Sequence, residues 1–197
     1  MSLACWSNGS PAQLVVVGAN CRACINPLKR KQFFMNDQND SAIFRKACSL
    51  WASGVSIVTT ADSKGVPFGL TMNAVSSLSL EPAMLLVCVD NNSDTLAPML
   101  ETNSFCINVL STSQQSLSGR FAKKGDNKFD GVSWSAKPNR PPVLDGSLIS
   151  FTCSVANVYK GGDHKIVCGK VEQIDDNSSA DTAPLIYFGG GYKEFTS

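Results

Sequence analysis

Thr71, Asn73, Ser77 and Ser79 fall on one parity of the segment GLTMNAVSSLSLEP (residues 69–82), and Leu70, Met72, Ala74, Leu78 and Leu80 fall on the other. Side chains alternate faces along a strand, so this spacing aims two hydroxymethyl groups, one hydroxyl and one carboxamide in a single direction and sends the apolar set to the core. All four polar groups are neutral. A strand face turned to bulk water more usually carries Lys, Glu or Arg, whereas neutral donors and acceptors suit a flat heteroaromatic ring edged with carbonyls and ring nitrogens. A solvated Ser/Thr face is the alternative.

Asn91, Asn92, Ser93 and Thr95 stand where a strand ends and a helix begins. Unpaired N–H groups and the positive end of a helix dipole favour phosphate at such a junction, and the Ser and Thr hydroxyls complete a cradle; a plain helix cap is the alternative. Next to the neutral polar strand, the junction predicts a phosphorylated planar cofactor. Arg120 with Lys123 or Lys124 is placed to add charge, or to form a solvated helix face. His164, the single histidine, follows Gly161, Gly162 and Asp163 at a turn. There it serves as a proton donor or stacking contact for a second substrate, or as an ordinary surface residue. The chain has no Gly-x-Ser-x-Gly elbow and no Walker sequence, so the reactive chemistry must come mainly from a bound cofactor.

The elements that position these groups are short and closely spaced. Residues 40–51 carry Ile43, Phe44, Ala47, Leu50 and Trp51 at helical spacing behind an Asp/Ser cap, with Gly54 as the stop. A β-branched run from Val55 to Thr60, the turn ADSKG and a strand from about Phe68 predict a hairpin. MLLVCVD is a buried strand, followed by a short helix capped by Ser93 or Asp94 with Pro98 in its first turn. SFCINVL is a strand, STSQQSLSGRFAK a helix, and KFDGVSWSAKPNRPPVLDG a Pro/Gly-rich excursion. LISFTCSVANVYKGGDHKIVCGKVEQID reads as two strands around a Gly-Gly turn, and PLIYFGG as the last strand. Many strands without βαβ alternation predict a mainly β, antiparallel barrel with short helices. With no GxGxxG after a strand, a Rossmann domain is rejected.

A chain of 197 residues with 43% hydrophobic and 17% charged content reads as one globular domain. The formal net charge of +1 gives no footprint for nucleic acid. No apolar run approaches the roughly 20 residues that span a bilayer. Most of the cysteines after residue 40 sit in apolar runs, predicting reduced thiols in a cytoplasm. Cys21 and Cys24 form a Cys-x-x-Cys pair without a second ligand pair, so no metal site is expected. Residues 1–34 hold four basic residues and no Asp or Glu, and read as an N-terminal extension before a domain at 35–197, with Met35 expected as the natural start.

The ordered run FRKACSLWASGVSIVTT, GLTMNAVSSLSLEP, LLVCVDNNSDTL, FCINVL, QQSLSGRFA, PVLDG, GGDHKIVCGKV and PLIYFGGGY resembles the short-chain flavin reductase family, the reductase components of two-component flavin monooxygenases. The resemblance implies an FMN-binding split β-barrel with Greek-key antiparallel topology. It also implies a homodimer that reduces FMN or FAD with NADH or NADPH and supplies a partner monooxygenase. Carried over by motif, Thr71, Asn73 and Ala74 contact the isoalloxazine, and Ser77 and Ser79 the ribityl or phosphate region. Asn92, Ser93 and Thr95 match the phosphate-proximal turn, where Asn91 and Asn92 occupy places at which the family often has a basic residue. Asn108 and Phe121 match positions along the flavin, His164 matches the nicotinamide-contacting turn, and Tyr192 is placed to cover the site. Two rivals stay open: an enzyme that retains FMN and reduces a corrinoid, quinone or metal chelate, and a non-catalytic flavin-binding electron-transfer module.

Overall fold

A computed structural model describes residues 40–125, 127–135, 140–179 and 182–193. The proposed extension at 1–34, the Cys21/Cys24 pair and Met35 lie outside these residues, as does part of the Pro-rich excursion.

Helix α1 (Asp40–Ser49) precedes strand β1 (Ser53–Gly54), the hairpin β2 (Ser56–Ala61) and β3 (Pro67–Met72), and then β4 (Val75–Leu80) and β5 (Ala83–Asp90). Helix α2 (Leu96–Thr102), β6 (Ser104–Val109) and helix α3 (Gln115–Phe121) follow. The chain continues through β7 (Trp134–Ser135), β8 (Val143–Leu144), β9 (Ile149–Gly161), β10 (His164–Asp176), β11 (Ile186–Phe188) and β12 (Gly191–Lys193). Seven strands form one sheet in the order β3-β2-β6-β9-β10-β5-β4, every neighbour antiparallel. The sheet is not closed by hydrogen bonds: β3 and β4 are its two edges. An antiparallel sheet left open at two edges is the split architecture expected for this chain.

The turns obey local chemistry. In the β2–β3 turn the Asp62 carboxylate accepts from Lys64 N and Val66 N, and Gly65 takes φ +82°. Gly162 has φ +68° at the first central position of the β9–β10 turn, the conformation a tight hairpin of primed type requires. Before α3, a single 3-10 turn over Thr112–Gln114 is fixed by a reciprocal capping box between Ser111 and Gln114, so the predicted continuous helix is shorter than its sequence pattern.

The sheet buries apolar residues on both faces. Val58, Met72, Val87, Val89, Phe105, Ile107 and Val167 form one core with Leu96 and Met99 of α2. Ile57, on the opposite face of β2, joins Val55, Leu110, Phe121, Leu144 and Leu185 in a second. Gly169 on β10 makes room for the first core, because a Cβ there would lie 2.8 Å from Phe105 Cε1 and 2.9 Å from Cys153 Cβ.

Helix α1 departs from the sequence expectation. It ends at Ser49, before Gly54, and buries none of its residues. Phe44, Leu50 and Trp51 are 60%, 65% and 81% exposed. The helical spacing is real, but the stripe it aligns has no partner among the described residues.

Candidate functional site

Residues 69–82 do not form one strand. The chain leaves β3 after Met72, crosses through Asn73 and Ala74, and enters β4 at Val75 on the other edge of the sheet. β3 pairs with β2 and β4 with β5, and the register shifts between Ser77 and Ser79. A single parity therefore cannot place Thr71, Asn73, Ser77 and Ser79 on one face, because it holds only within an unbroken, unbulged strand. Leu70 and Met72 do face the core, but Leu78 and Leu80 are exposed. Thr71 Oγ1 donates to Ser118 O of α3 at 2.7 Å, while Asn73, Ala74 and Ser77 are exposed and Ser79 half-buried. Ala74 O accepts from Cys88 N, which fastens the crossover to β5 two residues before Asp90.

The end of β5 meets the β9–β10 hairpin. Asp90 is paired with His164 in the ladder, Asn91 N donates to Asp163 O at 3.0 Å, and Asn91 Nδ2 reaches Gly162 O at 3.5 Å. His164 Nδ1 lies 2.7 Å from Asp163 Oδ1, and this contact with the imidazole holds the exposed Asp163 carboxyl below the usual carboxylate range. Two segments far apart in sequence, Asn91–Thr95 and the GGDH turn, are thus tied by backbone hydrogen bonds.

The Asp90–Thr95 turn is not an open anion cradle. Asn92 N donates to Asp90 Oδ1, Ser93 N to Asp90 O, Thr95 N to Ser93 Oγ and Leu96 N to Ser93 O. Helix α2 has only seven residues, and its cap residue Thr95 makes no side-chain capping bond. What the turn offers is side chains: exposed Asn92, half-buried Ser93, and Thr95 at 1% exposure.

Thr95 lines a cleft of about 180 Å³ with Pro67, Phe68, Asp94, Lys128 and Phe129. Lys128 Nζ donates to Gly69 O at 3.0 Å. Burial pushes its ammonium pKa down, with the Asp94 charge acting the other way. No sequence pattern singled out Lys128, since one lysine inside KFDG carries no period; its place becomes visible only when the loop after α3 folds against β3.

Three matched positions lie elsewhere. Asn108 is fully buried: its Nδ2 donates to Ile57 O and Thr59 Oγ1, and its Oδ1 accepts from Leu144 N and Ser150 Oγ. With these partners Asn108 joins β2, β6, β8 and β9 in the interior, and its side-chain polar atoms are taken up within the protein. Phe121 is 1% exposed and packs edge-on to Phe129, with its Cε1 2.8 Å from where a Cβ on Gly69 would stand. It backs β3 from inside. Tyr192 OH is 2.8 Å from Ser118 Oγ, which links β12 to α3 and so to Thr71. Arg120 donates to Asp130 O, while Lys123 and Lys124 are exposed.

These residues fit a phosphorylated planar cofactor. Neutral polar groups cluster at the crossover, and a nearly buried hydroxyl and a half-buried ammonium line a cleft with aromatic and proline walls. The flavin reductase like domain model matches residues 48–196. The reductase subunit HsaB of a flavin-dependent monooxygenase from Rhodococcus jostii is 36% identical over 153 residues, covering 78% of this chain and 77% of that protein. The FMN reductase (NADH) SmoA of Agrobacterium fabrum is 32% identical over 169 residues, covering 86% and 94%. Among solved structures, nitrilotriacetate monooxygenase component B from Mycobacterium thermoresistibile superposes with a TM-score of 0.74 at 33% identity, covering 78% of this chain and 86% of that one. The NADH:FAD oxidoreductase SgcE6 of Streptomyces globisporus, solved in complex with NAD and FAD fragments, gives 0.75 at 26% identity, covering 83% and 98%. With the split antiparallel sheet and the motif order in place, this chain belongs to the flavin reductase like family.

Proposed function

We propose that the flavin lies between the Asn73–Ala74 crossover and the Asn92–Thr95 turn, with the nicotinamide brought in beside His164. The chain is an NAD(P)H-dependent flavin oxidoreductase that supplies reduced flavin to a flavin-dependent monooxygenase. The observation that carries the arrangement is the tie between Asn91 and Asp163, which sets the histidine turn against the strand end leading to Ser93 and Thr95. Flavin, when bound, supplies a two-electron acceptor for hydride from the nicotinamide C4. The protein's share is orientation: exposed Asn73 and Ser77 offer neutral hydrogen bonds to a polar ring, and His164, turned by Asp163, stands at the rim.

The same reading takes the functional unit as a homodimer, supported by the exposed Phe44, Leu50 and Trp51. Among the described residues no helix is long and apolar enough to cross a membrane. A reducing cytoplasm suits the five described cysteines, all free thiols.

Anaerobic mixing of the protein with excess FMN and NADH, then NADPH, tests the function through the flavin's visible absorbance. Bleaching of flavin well beyond the protein concentration is the expected result. Bleaching of one equivalent only supports a retained prosthetic group serving another acceptor, and none supports a binding module.

A further inference from the structure

Asn91 and Asn92, beside Ser93, leave the phosphate-proximal turn without a cation of its own. We propose that Lys128, from the loop after α3, supplies the missing positive charge to the flavin's phosphate, with the Thr95 hydroxyl as its hydrogen-bonding companion across the cleft. The inference rests on the flavin reading above and adds a residue to it.

Two independent features point to an anionic ligand. Thr95 is 1% exposed and lines the cleft, and its side chain makes no capping bond to α2, so its hydroxyl is available to a ligand oxygen. Lys128 is half-buried and donates to a single carbonyl, Gly69 O, although an ammonium has three N–H groups to place. No carboxylate stands within ion-pair distance of it among the described residues. A partly desolvated cation without a counter-ion costs free energy that an anion in the cleft would return. Asp94 lines the same cleft but is exposed, so water screens its charge more than that of a phosphate seated against Lys128 and Thr95. Burial depresses the Lys128 pKa, and an anion there would restore it. The cleft, at about 180 Å³, is several times the roughly 30 Å³ share of one water in the liquid.

The test is equilibrium binding of riboflavin, FMN and FAD, followed by flavin fluorescence, to the full chain and to Lys128→Met, Lys128→Arg and Lys123→Met. Riboflavin has the ring and ribityl chain but no phosphate, so it separates the two contacts. The wild type is expected to bind FMN more tightly than riboflavin, with the difference shrinking as salt rises. Lys128→Met weakens FMN by roughly tenfold or more, the usual loss for a charge-assisted hydrogen bond, and leaves riboflavin unchanged. Lys128→Arg keeps most of the FMN preference, and Lys123→Met alters neither ligand. A larger loss for FMN than for FAD identifies a terminal phosphate as the group held; equal losses identify the phosphate shared by both.

Undiminished FMN binding by a folded Lys128→Met variant overturns the proposal. So does an equal loss of riboflavin and FMN, which would move Lys128 to the ring. If the variant does not fold, a wild type with no preference for FMN over riboflavin overturns it alone. A wild type that binds none of the three and oxidises no NADH overturns the flavin reading, and the Lys128 assignment with it.

Discussion

His164 stands at the start of β10, paired across the ladder with Asp90 and held by Asp163 at its Nδ1. Its imidazole is 39% exposed and its hydrogen-bond partner among the described residues is the neighbouring Asp163 carboxylate. His164→Ala is expected to raise the KM for NADH by roughly tenfold, the scale of one lost polar contact, with FMN affinity unchanged. Steady-state kinetics beside a flavin titration checks this; an unchanged KM would return His164 to the surface. Asn108 predicts the opposite pattern. Asn108→Ala strands Leu144 N and the Ile57 and Ser150 partners in the interior, costing roughly 2–4 kcal/mol in a denaturant titration. The thiols follow burial too: desolvation pushes Cys106 and Cys153 up to about 12 from 9.0. Both therefore stay protonated in the native state while the unfolded chain loses these protons near pH 9. The unfolded state then holds fewer protons, so stability falls as pH rises from about 9 towards 12. Replacing both by Ala is expected to flatten the alkaline fall of the melting temperature relative to wild type.

At the scale of elements, Gly169 decides whether β10 lies close over the first core. Gly169→Ala sets a methyl against the Phe105 ring and Cys153 Cβ from a backbone fixed on both sides by β9 and β5. Both neighbours are buried, at 0% and 1% exposure, so a loss of roughly 1–3 kcal/mol is expected from overpacking, measured by chemical denaturation. The hairpins were legible because their signals are local: ADSKG and GGDH carry the turn residues that their backbones use. The segment at 69–82 was misread because one alternation continues across two strands, and no local signal says that Asn73 and Ala74 carry the chain to the opposite edge. The Asp90–Thr95 junction was located correctly as strand end and helix start, but whether its amides were free depended on Asp90 and Ser93 folding back on them. Lys128 was invisible for a related reason, since its neighbours Gly69 and Thr95 lie 59 and 33 positions away.

On the scale of the whole molecule, α1 poses a problem of stability. Isolated helices shorter than about 12–15 residues are marginal in water, and most helical stability in proteins comes from packing an apolar face. α1 has ten residues and buries none of them, and its junction shows a single backbone bond from Gly189 N to Ser49 O at 2.7 Å. Phe44 on α1 and Leu50 and Trp51 just after it keep their side chains largely in water. A second copy of the chain is the occupant that the proposed homodimer supplies, and aromatic anchors of this kind dominate interface energetics. Sedimentation of the wild type is expected to give a dimer at micromolar concentration. Phe44→Glu with Trp51→Glu is expected to shift it to monomer and to lower the helical signal in far-ultraviolet circular dichroism, because α1 loses the surface that holds it. A monomeric variant that keeps FMN affinity would mean that the dimer serves α1 and not the phosphate site. A wild type that sediments as a monomer would remove the dimer from the proposed function and leave the split barrel acting alone.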